Sequence, residues 1–127
     1  MATTHPTATR TSLAETIRGL VNGGSAPTLV IGTSSLSGET GVLVKITLAD
    51  FGVAAAAVTT SASNGNNATA TGTGTAAIAE VRTDPTGTVI FAGAVGVGSG
   101  EVQISSTSIA SGDTVTLTSN ISWTSPP

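Results

Sequence analysis

The stretch 113–123, DTVTLTSNISW, places Val115, Leu117, Ser119, Ile121 and Trp123 on one side of an extended chain, and Thr114, Thr116, Thr118, Asn120 and Ser122 on the other. A period of two belongs to a pleated strand with one face buried and one in water. The wet face consists of hydroxyls and amides, which neither hold metal ions tightly nor exchange protons near neutral pH. The segment therefore decides for a β protein and leans away from catalysis.

Working outward, the same alternation recurs. Residues 28–33, TLVIGT, form a short buried strand, and 41–49, GVLVKITLA, alternate Val42, Val44, Ile46 and Leu48 against Leu43, Lys45, Thr47 and Ala49, with SSLSGET as a turn-rich loop between them. Residues 50–62, DFGVAAAAVTTSA, are ambiguous because the alanines favour helix while Val, Thr and Gly favour strand; we read them as strand. SNGNN at 63–67 is a turn, since Asn and Gly tolerate positive φ. DPTG at 84–87 suits a type I turn joining a strand that ends at Thr83 to TVIFAGAVG. GVGSG at 96–100 is a flexible connection, Val102 and Ile104 face inward, and ASGD at 110–113 is a further turn. Roughly eight short strands with turns between them predict an all-β, single-domain β-sandwich or jelly roll.

Ahead of the strands, residues 1–11 are polar and aperiodic and are expected to form a mobile N-terminal arm. The domain then runs from 12 to 127 and opens with a helix over 12–22. That helix carries Leu13, Ile17, Leu20 and Val21 on one face, Ser12 and Glu15 at capping-box spacing, and Asn22, Gly23 and Gly24 as its stop.

The composition bounds what such a fold can do. The 127 residues suit one core, but the apolar 39% contains two Phe, one Trp and no Tyr, so few side chains reach the ~1.5–3 kcal/mol that a large buried group contributes. Marginal stability alone, with neighbouring subunits burying the rest, is the expectation. Only 9% of residues are charged, against about 25% in ordinary proteins, whereas 24 are Thr, 15 Ser and 16 Gly. Positive mean hydropathy with a net charge of −3 argues against disorder. Arg10, Arg18, Lys45 and Arg82 are scattered, which disfavours nucleic acid as a partner. The run VAAAAV is too short to span a bilayer, the N-terminus lacks the apolar stretch of a signal peptide, and the absence of cysteine removes disulfides and thiolate metal sites.

Nothing in the chain spells out an active site. His5 is the only histidine and precedes a proline, whereas a Ser-His-Asp arrangement needs a buried, oriented imidazole. Glycines 93, 96, 98 and 100 lack the spacing and following helix of a dinucleotide loop, and no calcium-loop pattern occurs. The carboxylates Glu39, Asp50, Glu80, Asp84, Glu101 and Asp113 are spread singly, and Asp84 and Asp113 are explained as turn residues. Trp123 could stack on a sugar, but as a continuation of the apolar side of the last strand it reads as core or subunit contact. No enzymatic activity, cofactor or metal is expected.

The helix ending in NGG, together with ITLADFGVAA, RTDPTGTVIFAGAVG and ISSTSIASGDTVTLTS, resembles a family of small virion structural proteins of tailed bacteriophages. The resemblance covers most of the chain after residue 12. It implies a head decoration, or cement, protein that forms dimers or trimers on the outer surface of the phage head and binds the major capsid protein. A tail-fibre, head-fibre or receptor-binding β module is the alternative. For a partner-binding region we single out His5, Pro6 and Arg10 of the arm, with the helix face Leu13, Ile17, Leu20 and Val21; covering an open side of the sandwich is the competing role for that face.

Overall fold

A computed structural model describes residues 4–125. Residues 1–3 of the expected arm, and 126–127 at the far end of the expected domain, lie outside the described residues. The fold is all-β with a single N-terminal helix. After α1 (Thr7–Val21) come β1 (Thr28–Ser37), β2 (Thr40–Thr47), β3 (Val58–Ser61), β4 (Asn67–Thr69), β5 (Gly74–Thr75) and β6 (Ile78–Arg82). They are followed by β7 (Val89–Gly96), β8 (Val102–Gln103), β9 (Ser108–Ile109), β10 (Thr114–Thr116) and β11 (Ile121–Thr124). The expected eight strands are thus eleven among the described residues, because several long alternating segments are broken into shorter pieces.

Five strands form one sheet in the order β2-β1-β6-β7-β8, and three antiparallel ladders, β3–β11, β4–β10 and β5–β9, face it. One apolar cluster joins the layers: Leu29, Ile31, Val44, Ile46 and Val81 from the large sheet meet Phe51, Val115, Leu117 and Ile121, and Val21 enters from the helix. Alternation produces this directly, since in each strand every second side chain turns to the same interior.

The 113–123 segment keeps its alternation and loses its continuity. Val115, Leu117 and Ile121 are buried, Ser119 and Trp123 are half-buried, and Thr114, Thr118, Asn120 and Ser122 are exposed. The SNGNN turn intercepts the strand: the Gly65 amide donates to the Leu117 carbonyl (2.8 Å) and the Leu117 amide to the Asn66 carbonyl (2.8 Å). β10 is thereby left to β4, and β11 to β3.

The region expected as a loop at 34–40 is instead a nearly continuous β1–β2 hairpin, with Ser37 paired to Thr40. Register shifts at Gly32 turn it back over the sheet's outer face, where Val30, Lys45 and Arg82 lie. A Cβ on Gly32 would lie 2.7 Å from both the Gly41 carbonyl and Leu36 Cδ1, and Gly41 has φ of 77°. Both positions therefore need glycine. The tip is pinned by Arg82, which donates to the Gly38 carbonyl (2.7 Å) and pairs with Glu80 (3.2 Å) and Glu39 (3.4 Å), while Lys45 reaches Glu39 at 2.8 Å. Leu43, placed by alternation opposite Val42 and Val44, is buried as well, and its carbonyl accepts the amides of Thr71 (2.8 Å) and Gly72 (3.2 Å).

Residues 50–62 are a strand only in their last part. Phe51 bridges to Ser61, and Ala55 and Val58 exchange both backbone hydrogen bonds (2.9 and 3.0 Å) around Ala56 and Ala57, whose φ values are 49° and 71°. Two positive φ angles in a two-residue loop define a type I′ turn, which matches the twist of the strands it joins. Ala57 is fully buried at this turn, while Ala56 is exposed.

The DPTG turn forms as read from the sequence: Gly87 donates to the Asp84 carbonyl at 3.0 Å, and β6 pairs antiparallel with β7. GVGSG connects β7 to β8 as a tight loop. With Gly98 at φ 72° and Gly100 at 88°, it turns the chain so sharply that β8 pairs parallel with β7 after only a few residues.

The helix starts at Thr7, inside the stretch expected to be arm, and the Ser12/Glu15 capping box does not form. Pro6 sits at the N-cap without a side-chain cap bond. Tertiary contacts explain the extension. Arg10 donates to the Ser125 carbonyl (3.0 Å), Ser125 Oγ donates to the Arg10 carbonyl, and Thr11 Oγ1 accepts the Ala57 amide (3.1 Å). Glu15 is drawn to the Ala54 amide and to Arg18 (3.1 Å).

Candidate functional site

The expected partner-binding residues divide into two groups. Ala14 and Val21 are fully buried and Ile17 is half-buried, so the helix lays the 14/17/21 stripe on the core. Val21 therefore cannot meet a partner, which corrects that part of the expectation. Arg10 is half-buried and occupied with Ser125. Leu13 and Leu20, one heptad apart on the flank of the stripe, are 39% and 52% exposed, and His5 and Pro6 are exposed just ahead of the helix.

A second feature was not legible in the sequence. A groove of about 300 Å³ is lined by Val81, Phe91, Ala92 and Gly93 of the large sheet, by Glu101, and by Ile121, Ser122, Trp123 and Thr124 of β11. The chain has three aromatic residues; Phe91 and Trp123 line this groove, and Phe51 backs it through an edge-to-face contact with Phe91 (centroids 6.0 Å apart, planes at 84°). No local spacing encodes the clustering, because β7 and β11 belong to different sheets and are not hydrogen-bonded to each other. Trp123, read as core or subunit contact, is half-buried at the groove wall.

Glu101 is set at the groove by the tight glycine loop. Its carboxylate accepts the Ala94 amide at 3.0 Å, and its Cβ lies against Gly93, where a Cβ would come within 2.9 Å. Hydrogen bonds from its own backbone amide and from that of Ala94 hold its carboxyl below the usual glutamate range. No basic side chain forms an ion pair with it among the described residues.

Of the remaining acids, Asp50 is exposed, and four are engaged locally. Asp84 accepts the Thr86 amide (3.2 Å) and Asp113 the Ala110 amide (2.9 Å), while Glu39 and Glu80 belong to the Arg82 cluster. Among the described residues, no three His, Cys, Asp or Glu side chains converge as metal ligands, and no helix is long and apolar enough to cross a membrane.

No protein-family model matches the chain, and neither does any curated protein or solved structure.

Proposed function

We propose that the protein is a non-enzymatic bacteriophage capsid decoration protein that binds the outer surface of the major capsid protein lattice, as a dimer or trimer, and stabilises the head. The observation that carries this reading is the Leu13–Leu20 stripe, left exposed on a helix that is tied to the body near its start through Arg10 and Thr11 and at its end through Asn22. Two exposed leucines held in place lose little conformational entropy on docking. Apolar burial yields about 25 cal/mol per Å² before association costs, so one copy adheres weakly and a lattice of copies adheres well. The charge-poor, hydroxyl-rich exterior supports an adhesive rather than a catalytic role, as does the local engagement of the acids described above.

A fibre or receptor-binding module is the second reading, favoured by the aromatic groove between β7 and β11. Electron microscopy of particles carrying a gold-binding tag on this protein separates the two. Regularly arrayed label on the head is expected; label at the tail tip or fibres replaces the decoration reading with the second, and absence from particles overturns both.

A further inference from the structure

The groove runs along strand edges, not across a strand face. Three successive residues of β7 and four of β11 line it, and successive residues of a strand point to opposite faces. Hydrogen bonds fix which backbone groups face it. The Val95 amide donates to the Ala77 carbonyl (3.1 Å), so the odd-numbered residues at this end of β7 turn their backbone to β6, whereas Ala92 and Ala94 turn theirs away. Likewise the Ser125 amide donates to the Ala57 carbonyl (2.9 Å), so Ser122 and Thr124 turn their backbone away from β3. The Ala94 amide is satisfied by Glu101; among the described residues Ala92, Ser122 and Thr124 present open strand edges, and β7 and β11 are not paired with each other.

We infer that this groove receives an extended segment of a different polypeptide carrying a lysine or arginine, which adds a strand between β7 and β11 and sets its cation on Glu101. Open backbone edges provide the pairing, and the half-buried Phe91 and Trp123, backed by the core residues Val81 and Ile121, provide apolar seats for alternate side chains. Charge complementarity selects the partner, since Glu101 is an anion at the groove with no basic side chain in ion-pair contact among the described residues. The Lys and Arg side chains of this chain already have partners of their own, which favours a different polypeptide as the source of the cation: Arg10 donates to the Ser125 carbonyl, Arg18 pairs with Glu15, Lys45 with Glu39, and Arg82 is buried beneath the hairpin tip. The inference stands on the groove alone and survives if the tagged protein is missing from phage heads.

The test is selection of a random octapeptide library on the full chain, with the affinity of every variant read by fluorescence anisotropy of dye-labelled peptides and, for the parent, also by emission from Trp123, the sole tryptophan. Enriched peptides are expected to alternate apolar residues around a Lys or Arg. Glu101→Gln should lose the basic preference and Glu101→Lys should turn it acidic, with circular dichroism confirming that both variants keep the β fold. Trp123→Ala should weaken binding about tenfold or more, as for a central aromatic anchor. The inference is overturned if no pool is enriched, if Trp123→Ala selects the same pool with equal affinity, or if N-methylation of alternate peptide amides leaves binding unchanged. A Trp123 response to oligosaccharides but not to peptides would reassign the groove to sugars.

Discussion

Asn22 and Phe51 hold each other through both edges of an amide: Asn22 Nδ2 donates to the Phe51 carbonyl at 2.9 Å, and the Phe51 amide donates to Asn22 Oδ1 at 3.0 Å. Asn22 is also the helix C-cap, and the Phe51 ring sits edge-on to Phe91 beneath the groove. One side chain thus fixes the end of the helix to the segment that supports the groove floor. Asn22→Ala removes both bonds and should destabilise the protein by about 1–3 kcal/mol. Urea unfolding checks this, and an unchanged midpoint would show that the pair is incidental.

Leu117 is fully buried where the SNGNN turn interrupts the last strands. Leu117→Ala should cost about 2–5 kcal/mol, the usual range for a cavity of that size. Leu117→Asp should leave no folded population, because the buried carboxylate has no partner. A native-like dispersed NMR spectrum for the aspartate variant would mean that the inward face has been misassigned.

The hairpin tip over the outer face should loosen in acid. The Lys45 hydrogen bond, then the charges of Lys45 and Arg82, outweigh partial burial and hold the Glu39 carboxyl below its ordinary value of 4.5; Glu101 is lowered too. A carboxyl with a folded-state pKa below the unfolded one contributes stability in full above the unfolded value, and loses it as pH falls through the folded value. Stability should therefore decline as pH drops below 4.5. Glu39→Gln should be less stable than the parent at pH 7 and converge with it in strong acid, as read from urea midpoints across pH.

Ala56, exposed at the tip of the type I′ turn, holds a φ of 49° that favours Asn or Gly. Ala56→Asn should raise stability by up to about 1 kcal/mol. A lower melting temperature would contradict the turn geometry.

Replacing Leu13 and Leu20 together by serine should change the stability of the isolated protein by no more than about 1 kcal/mol, since both are substantially exposed. The same pair should abolish attachment to particles in a sedimentation assay. Retained attachment would move the partner surface elsewhere.

Where the sequence was legible, a short-range rule was enough. The DPTG turn needs only the φ of Pro85 and the reach of the Asp84 side chain, and the alternation of Val115, Leu117 and Ile121 needs only the pleat. The helix start was misread because Thr7 to Thr11 carry a weak local signal and are held by Ser125 and Ala57, more than 40 residues away. The helix face of Leu13, Ile17, Leu20 and Val21 splits in the structure, with Val21 buried and Leu13 and Leu20 exposed; a one-face pattern that includes 13, 17, 20 and 21 does not say which flank the body covers. Trp123 and Glu101 were each noticed, but their shared groove was not.

By itself, then, the sequence determined an all-β chain with one helix, the inward side of part of the last strands and the position of several turns, because the pleat and the φ preferences of Gly, Asn and Pro act within a few residues. Tertiary structure alone decided which strand edges are paired and which remain open, that the β1–β2 hairpin folds back onto Arg82, and that Phe91, Trp123 and Glu101 meet at one groove. Hydrogen-bond partners between strands are chosen by the packing of a shared core, and no local spacing encodes that choice.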